Sequence, residues 1–217
     1  MKPISVLLVD DHALVRESLG QWLRAEDGIT VVASVGSADE AIQEALRFKP
    51  DVVLMDIDMP GLLCFDAAQV IRTRCPSTRV VFLSAFFSDR YIEDALAAGA
   101  SGYLTKGVPP EQVVKAVRDV AQGGVCFSPE VQQRLVIDSG GVKLGTASKT
   151  RVSTLTPREL EVLRYLARGL SKKEIANTMH LSVKTVDNHS ASLMSKLDIH
   201  DRVELARFAI REGLAEA

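Results

Sequence analysis

The sequence has no apolar run long enough to span a bilayer or to form the core of a secretion leader. Its longest N-terminal apolar stretch, Val6-Leu7-Leu8-Val9, is followed at once by two aspartates, whereas a span needs about 20 apolar residues and a leader core about 7–15. No membrane contact is expected, and the chain is read as cytoplasmic. Cysteine is scarce: Cys64, Cys75 and Cys126 form no C-x-x-C pair and have no histidine at ligand spacing. An odd number also excludes a framework of disulfides that uses them all. Free thiols in a reducing compartment are the expectation. Net charge is also small, −2, so charge alone points to no polyanionic partner.

That small charge hides an asymmetry. Residues 1–125 carry 12 basic and 17 acidic side chains, and residues 126–217 carry 14 and 11. An anionic partner is therefore expected at the C-terminal end. A chain of 217 residues suits two domains of unequal size.

The first 125 residues alternate short apolar runs (4–9, 30–35, 51–55, 79–83, 101–104) with helical patterns (12–25, 38–48, 64–74, 88–98, 110–122). Runs rich in Val, Ile and Leu suit strands buried on both faces. Ser37-Ala-Asp-Glu40 reads as a capping box, and Gly99 and Gly123 stand where helices should stop. Five β-α units predict a doubly wound, five-stranded parallel sheet whose site lies beyond the carboxyl ends of the strands. Residues 126–153 read as a linker, with a short helix over about 128–137 and a flexible stretch over 139–153 that lacks periodicity. From 154 to 217 the pattern is purely helical, an all-α second domain. Thr156-Pro-Arg-Glu159 and Ser171-Lys-Lys-Glu174 open the first two helices as capping boxes. Ser182 opens a third that runs to about Leu197, and Asp201 a fourth. A turn of three to four residues between the second and third predicts helix-turn-helix geometry.

Each strand end facing the crevice carries a polar group: Asp10 and Asp11, Asp56, Ser84 and Lys106. Three carboxylates gathered together repel one another and need a cation; their hard oxygens suit Mg²⁺, which favours phosphate as a co-ligand. A hydroxyl and an ammonium beside them would hold phosphoryl oxygens. Polar residues end strands in any protein because loops are polar, but that does not account for all five meeting at one crevice. The pocket is read as one that places a phosphoryl group on a carboxylate.

Val-Leu-Leu-Val-Asp-Asp-His, Val-Val-Leu-Met-Asp-Ile-Asp-Met-Pro-Gly, Val-Val-Phe-Leu-Ser-Ala and Gly-Tyr-Leu-Thr-Lys, in that order over residues 4–123, resemble the receiver domain of two-component response regulators. The resemblance implies a flavodoxin-like fold, with Asp56 as acceptor of a phosphoryl group from a sensor histidine kinase. Asp11, Asp56 and the backbone carbonyl of Asp58 would ligate Mg²⁺, Asp10 helping directly or through water. Ser84 and Lys106 would contact the phosphoryl group, and Tyr103 matches the family's switch aromatic. Asp56-Ile-Asp58 also resembles the D-x-D nucleophile of haloacid-dehalogenase-type phosphatases. Position separates the two, because here a pair of aspartates precedes that motif and Met59-Pro60-Gly61 follows it.

Leu155-Thr-Pro-Arg-Glu-Leu-Glu-Val-Leu, Gly169-Leu-Ser-Lys-Lys-Glu-Ile-Ala and Leu181-Ser-Val-Lys-Thr-Val-Asp-Asn-His resemble the LuxR/NarL-type helix-turn-helix, so the chain as a whole is similar to NarL/FixJ-type response regulators. Such a protein binds double-stranded DNA, regulates transcription, forms a homodimer when phosphorylated, and is no enzyme beyond slow self-dephosphorylation. Val183, Val186, Leu193 and Leu197 are expected to pack the third helix down. Lys172, Lys173, Lys184 and Lys196 are expected to clamp phosphates, Asn188 to read a base, and Thr185, His189 and Ser192 to stand at the interface. The chain departs from the family it resembles at Asp187 and Ala191, where members often place base-contacting and frequently basic side chains, and at Ser190, which is often Arg. Low affinity per monomer, compensated by pairing on two half-sites, is the expectation.

Overall fold

The computed structural model describes residues 2–57, 59, 63–85, 89–138, 141–144, 151–212 and 214–215. The chain divides into two compact units, one formed by residues 1–85 and 92–143 and one holding residues 144–217. No helix among the described residues is long and apolar enough to cross a membrane.

In the first unit β1 (Ile4–Val9), α1 (Ala13–Ala25), β2 (Ile29–Val35), α2 (Ala38–Phe48), β3 (Val52–Asp56) and α3 (Cys64–Arg74) alternate strictly. The alternation continues through β4 (Arg79–Ser84), α4 (Asp89–Ala97), β5 (Gly102–Thr105) and α5 (Pro110–Ala121). The sheet runs β2-β1-β3-β4-β5 and every pairing is parallel. Successive side chains of a strand point to opposite faces, and both faces here are buried. Val6, Leu8, Val52, Leu54, Val81 and Leu83 join α1 and α5 in one core through Leu23, Val113 and Val117. On the other face Phe82 meets Phe65 of α3 edge-on, with ring centroids 5.0 Å apart.

Two expectations are corrected. The sheet has six strands rather than five, because β6 (Cys126–Phe127) pairs parallel with β5. It is two residues long, below the length at which an apolar run announces a strand. Gly102 is the cue for it: a Cβ there would lie 2.5 Å from the Cys126 carbonyl oxygen, so only glycine lets β6 approach. The helix expected over about 128–137 is also shorter, and its last residues form a strand instead. Helix α6 spans only Pro129–Gln132, and β7 (Leu135–Asp138) pairs with β8 (Gly141–Leu144) in a two-stranded sheet. Of the expected flexible stretch, residues 145–150 lie outside the described residues, and Arg151–Thr154 forms a 3-10 turn.

The second unit contains α7 (Pro157–Ala167), α8 (Lys172–Thr178), α9 (Val183–Leu197) and α10 (Arg202–Arg211). Both capping boxes form as expected, Thr156 with Glu159 and Ser171 with Glu174. Ser37 does accept the Glu40 amide, but the Glu40 carboxylate accepts from Gly36 and not from Ser37. Leu160, Leu163, Ile175, Val186, Leu193, Leu197, Leu205 and Phe208 fill the core. Two arginines close helix ends: Arg202 donates to the Leu170 carbonyl at 2.6 Å, and Arg151 to the Leu197 carbonyl at 3.0 Å.

The close approach at Gly102 is testable by urea unfolding of the N-terminal unit. Gly102→Ala should cost about 1–3 kcal/mol, as overpacking does, whereas Gly107→Ala, where a Cβ meets nothing within 4 Å, should stay within about 0.5 kcal/mol. An unchanged midpoint for Gly102→Ala would refute the steric account of β6.

Candidate functional site

The parallel sheet delivers its polar groups to one edge. Asp10 and Asp11 follow β1, Asp56 ends β3, Ser84 ends β4, and Lys106 follows β5. The β1/β3 neighbour pair is the point where the strand order reverses, the usual crevice of a doubly wound sheet. Asp56 and Ser84 are fully buried and Asp10 nearly so. Backbone pairing fixes their relative heights: the Lys106 amide donates to the Ser84 carbonyl at 2.7 Å, and that of Ile57 to the Leu83 carbonyl at 3.0 Å.

Lys106 Nζ stands between two acids, 2.7 Å from Asp10 Oδ2 and 3.0 Å from Asp56 Oδ2. Burial alone would lower the Lys106 pKa, but the Asp56 and Asp10 charges and their hydrogen bonds outweigh it and hold the ammonium above its ordinary value. Asp10 Oδ1 accepts the His12 amide at 2.8 Å, so both Asp10 oxygens are engaged. One oxygen from each of Asp10, Asp11 and Asp56 and a ring nitrogen of His12 all lie within 4.8 Å of one another. Three carboxylates at that spacing form a donor set of hard oxygens that fits Mg²⁺. The Asp58 carbonyl, expected as a further ligand, lies outside the described residues. His12 was not anticipated in this cluster; its Nδ1 is 2.8 Å from Asp11 Oδ1, and its place directly after the two aspartates was the available signal. Tyr103 is fully buried on β5, and its carbonyl accepts the Ser128 amide at 3.0 Å, which ties it to the segment after β6.

In the second unit a turn over residues 179–182, with His180 at φ 53°, separates α8 from α9. The buried stripe of α9 is Val186, Ser190, Leu193 and Leu197, whereas Val183, expected within it, is 44% exposed. Val183 is the first helical residue after the Ser182 cap, and the 4-3-4 spacing of the other four follows one helix face. Ser190 fits the apolar stripe because its hydroxyl donates to the Val186 carbonyl at 2.8 Å.

The outward residues are less free than their types suggest. Lys196 Nζ lies 2.6 Å from Glu159 Oε2, and the Ser192 hydroxyl donates to Glu159 Oε1. Both side chains thus meet Glu159 of α7. Lys172 pairs with Asp187 at 2.7 Å. Thr185 belongs to the α9 cap: its amide donates to Ser182 Oγ at 3.0 Å. His189 is half-buried, and Asn188 and Lys184 are exposed. Among the described residues, Lys173 and Lys184 enter no ion pair.

Glu159 holds this region together. Burial would raise its pKa, but hydrogen bonds from Lys196, Ser192 and Thr156 lower it to about 2. A carboxylate depressed in the folded state adds stability above its unfolded value near 4.5, and that stability is lost as pH falls toward about 2. Glu159→Gln should therefore destabilise the second unit at pH 7, and the gap from the unsubstituted protein should close as pH falls through that window. Thermal unfolding at a series of pH values checks this; a gap independent of pH would refute the charge-assisted network.

Comparison with known proteins agrees with both geometries. The response regulator receiver domain family matches residues 6–118, and the luxR family of bacterial regulatory proteins matches residues 153–209. Neither is a phosphatase family, so the haloacid-dehalogenase alternative finds no support. The transcriptional regulatory protein LnrK of Bacillus subtilis is 35% identical over 217 residues, covering 98% of this chain and 99% of that protein. The response regulator VraR of Staphylococcus aureus is 34% identical over 216 residues, covering 98% and 99%. Among solved structures, RcsB from Salmonella enterica serovar Typhimurium, bound to promoter rprA in the presence of a phosphomimetic, shares the fold. Its TM-score is 0.64, at 21% identity over 95% of this chain and 98% of that one. The chain thus belongs to the response regulators that join a receiver domain to a LuxR-type DNA-binding domain, a family of transcriptional regulators and not of metabolic enzymes.

Proposed function

We propose that Asp56 accepts a phosphoryl group from a sensor histidine kinase and that the phosphorylated chain pairs on double-stranded DNA to regulate transcription. The observation that carries this reading is the buried Asp56 carboxylate, 3.0 Å from the Lys106 ammonium and grouped with Asp10 and Asp11 at the sheet edge. One Asp56 oxygen attacks the phosphorus of the kinase's phosphohistidine. The N–P bond breaks, and the leaving imidazole takes up a proton. Water later cleaves the acyl phosphate and returns the carboxylate, a slow self-dephosphorylation with no small-molecule substrate. Mg²⁺ would be held by Asp11 and Asp56, with Asp10 acting through water because both of its oxygens already accept hydrogen bonds. When bound, the cation would offset the negative charge of the carboxylates and of the phosphoryl oxygens.

Phosphorylation exchanges the single negative charge of the Asp56 carboxylate for about 1.5 to 2 on the phosphoryl oxygens, a net gain of about one at most. Those oxygens compete with Asp10 for the Lys106 ammonium and draw the Ser84 hydroxyl, while the Lys106–Ser84 backbone bond keeps the ends of β4 and β5 in register. Tyr103, three residues before Lys106, reorients with that edge and changes the surface available for pairing. Shifting such an equilibrium from 1:99 to 99:1 needs about 5.5 kcal/mol of differential stabilisation. On the DNA side, Lys173 and Lys184 supply phosphate contacts, Asn188 reads a base, and His189 borders the groove. The free thiols of Cys64, Cys75 and Cys126 suit the cytoplasm, where both partners would be reached.

A small acyl phosphate with Mg²⁺ should label the protein once, and Asp56→Asn should abolish labelling while leaving the circular dichroism spectrum unchanged. Labelling that persists in this variant would move the acceptor elsewhere. Asp11→Asn should weaken Mg²⁺ binding at least tenfold with Asp56 intact, read by titration of the unphosphorylated protein; unchanged affinity would remove Asp11 from the metal site.

A further inference from the structure

The exposed face of α9 carries Lys184, Asp187, Asn188, Ala191 and Ser195 at helical spacing. A carboxylate on a helix that enters a groove lined by phosphates is an electrostatic cost. Here it is met inside the protein, because Lys172 Nζ, at the first residue of α8, lies 2.7 Å from Asp187 Oδ1. Both side chains are about half exposed, 49% and 48%, and such surface pairs add little to stability. Helices α8 and α9 already pack together, with Ile175 and Val186 both fully buried. Stapling the two helices together is therefore a weak reason for an acid to stand there.

Building on the DNA-binding reading above, we propose that Asp187 is a base-reading residue that selects cytosine, and that Lys172 is the positioning residue that holds and neutralises it. An ionised carboxylate only accepts hydrogen bonds. The major groove offers two donors, the N4 amine of cytosine and the N6 amine of adenine. Adenine sets its amine beside the N7 acceptor, which repels a carboxylate, whereas cytosine presents the amine without an acceptor on its own edge. Asp187 lies within one turn of Asn188, whose amide pairs with adenine, so the two side chains address neighbouring base pairs with different preferences. Lys172 cancels the charge that would otherwise oppose the phosphates of any sequence.

The test uses the full chain treated with a small acyl phosphate and Mg²⁺, and selects binding sites from random duplexes. The unsubstituted protein should enrich a cytosine at a fixed position of each half-site, and Asp187→Ala should lose preference at that position alone. Replacing that cytosine by thymine in a selected duplex should weaken the unsubstituted protein about 5- to 150-fold, the equivalent of about 1–3 kcal/mol, and leave Asp187→Ala nearly unaffected. Lys172→Met should weaken binding to every sequence, and the double variant Lys172→Met/Asp187→Ala should regain affinity without regaining the preference. A preference unchanged in Asp187→Ala, or a loss that falls on an adenine, overturns the proposal while leaving the DNA-binding reading intact. Failure of the unsubstituted protein to bind any duplex, even at low salt, overturns both.

Discussion

Three carboxylates held at the carboxyl edge of one parallel sheet repel one another, and the Lys106 ammonium between Asp10 and Asp56 offsets that repulsion. The rest of the first unit serves that contact. Parallel strands buried on both faces bring β1, β3, β4 and β5 to a common edge, and their register leaves Asp56 and Ser84 without solvent exposure. The chain comes back after β5 so that Lys106 can reach across to residues 96 and 50 positions earlier, Asp10 and Asp56. A group that adds charge at Asp56 must disturb this balance, because the same ammonium serves both acids.

The second unit follows the same rule with opposite emphasis. Its basic excess is mostly bound internally: Glu159 takes Lys196 and Ser192, Asp187 takes Lys172, and Arg151 and Arg202 close helix ends. The charge available to phosphates is therefore smaller than a count of basic residues suggests. This fits the proposal that the chain pairs on DNA, where two copies share the phosphate contacts.

Much of this was legible from the sequence, for physical reasons. The five main strands and all four C-terminal helices announce themselves through apolar runs, capping boxes and positive-φ glycines such as Gly99 and Gly169. The acidic pocket was legible because doubly wound folds put function at strand ends, so residue type and position sufficed. What escaped was short or relational. Strand β6 is two residues long and shows itself only through Gly102. Strand β7 lay largely in a stretch read as a helix, and its partner β8 in one whose glycines read as flexibility. Ser190 was not read as part of the buried stripe, because its hydroxyl is polar, yet that hydroxyl is satisfied by its own helix. The partners of Lys196 and Lys172 are 37 and 15 residues away on other helices, and no periodicity within a helix encodes them.

The central claim is that charge at Asp56 controls the DNA-binding end. Duplex binding by the full chain, measured at one fixed salt concentration before and after treatment with a small acyl phosphate and Mg²⁺, tests it most directly. The account predicts that treatment tightens binding and makes it steeper in protein concentration, and that Asp56→Asn removes both effects. Equal affinity in the two states, or tightening that survives in Asp56→Asn, would contradict it.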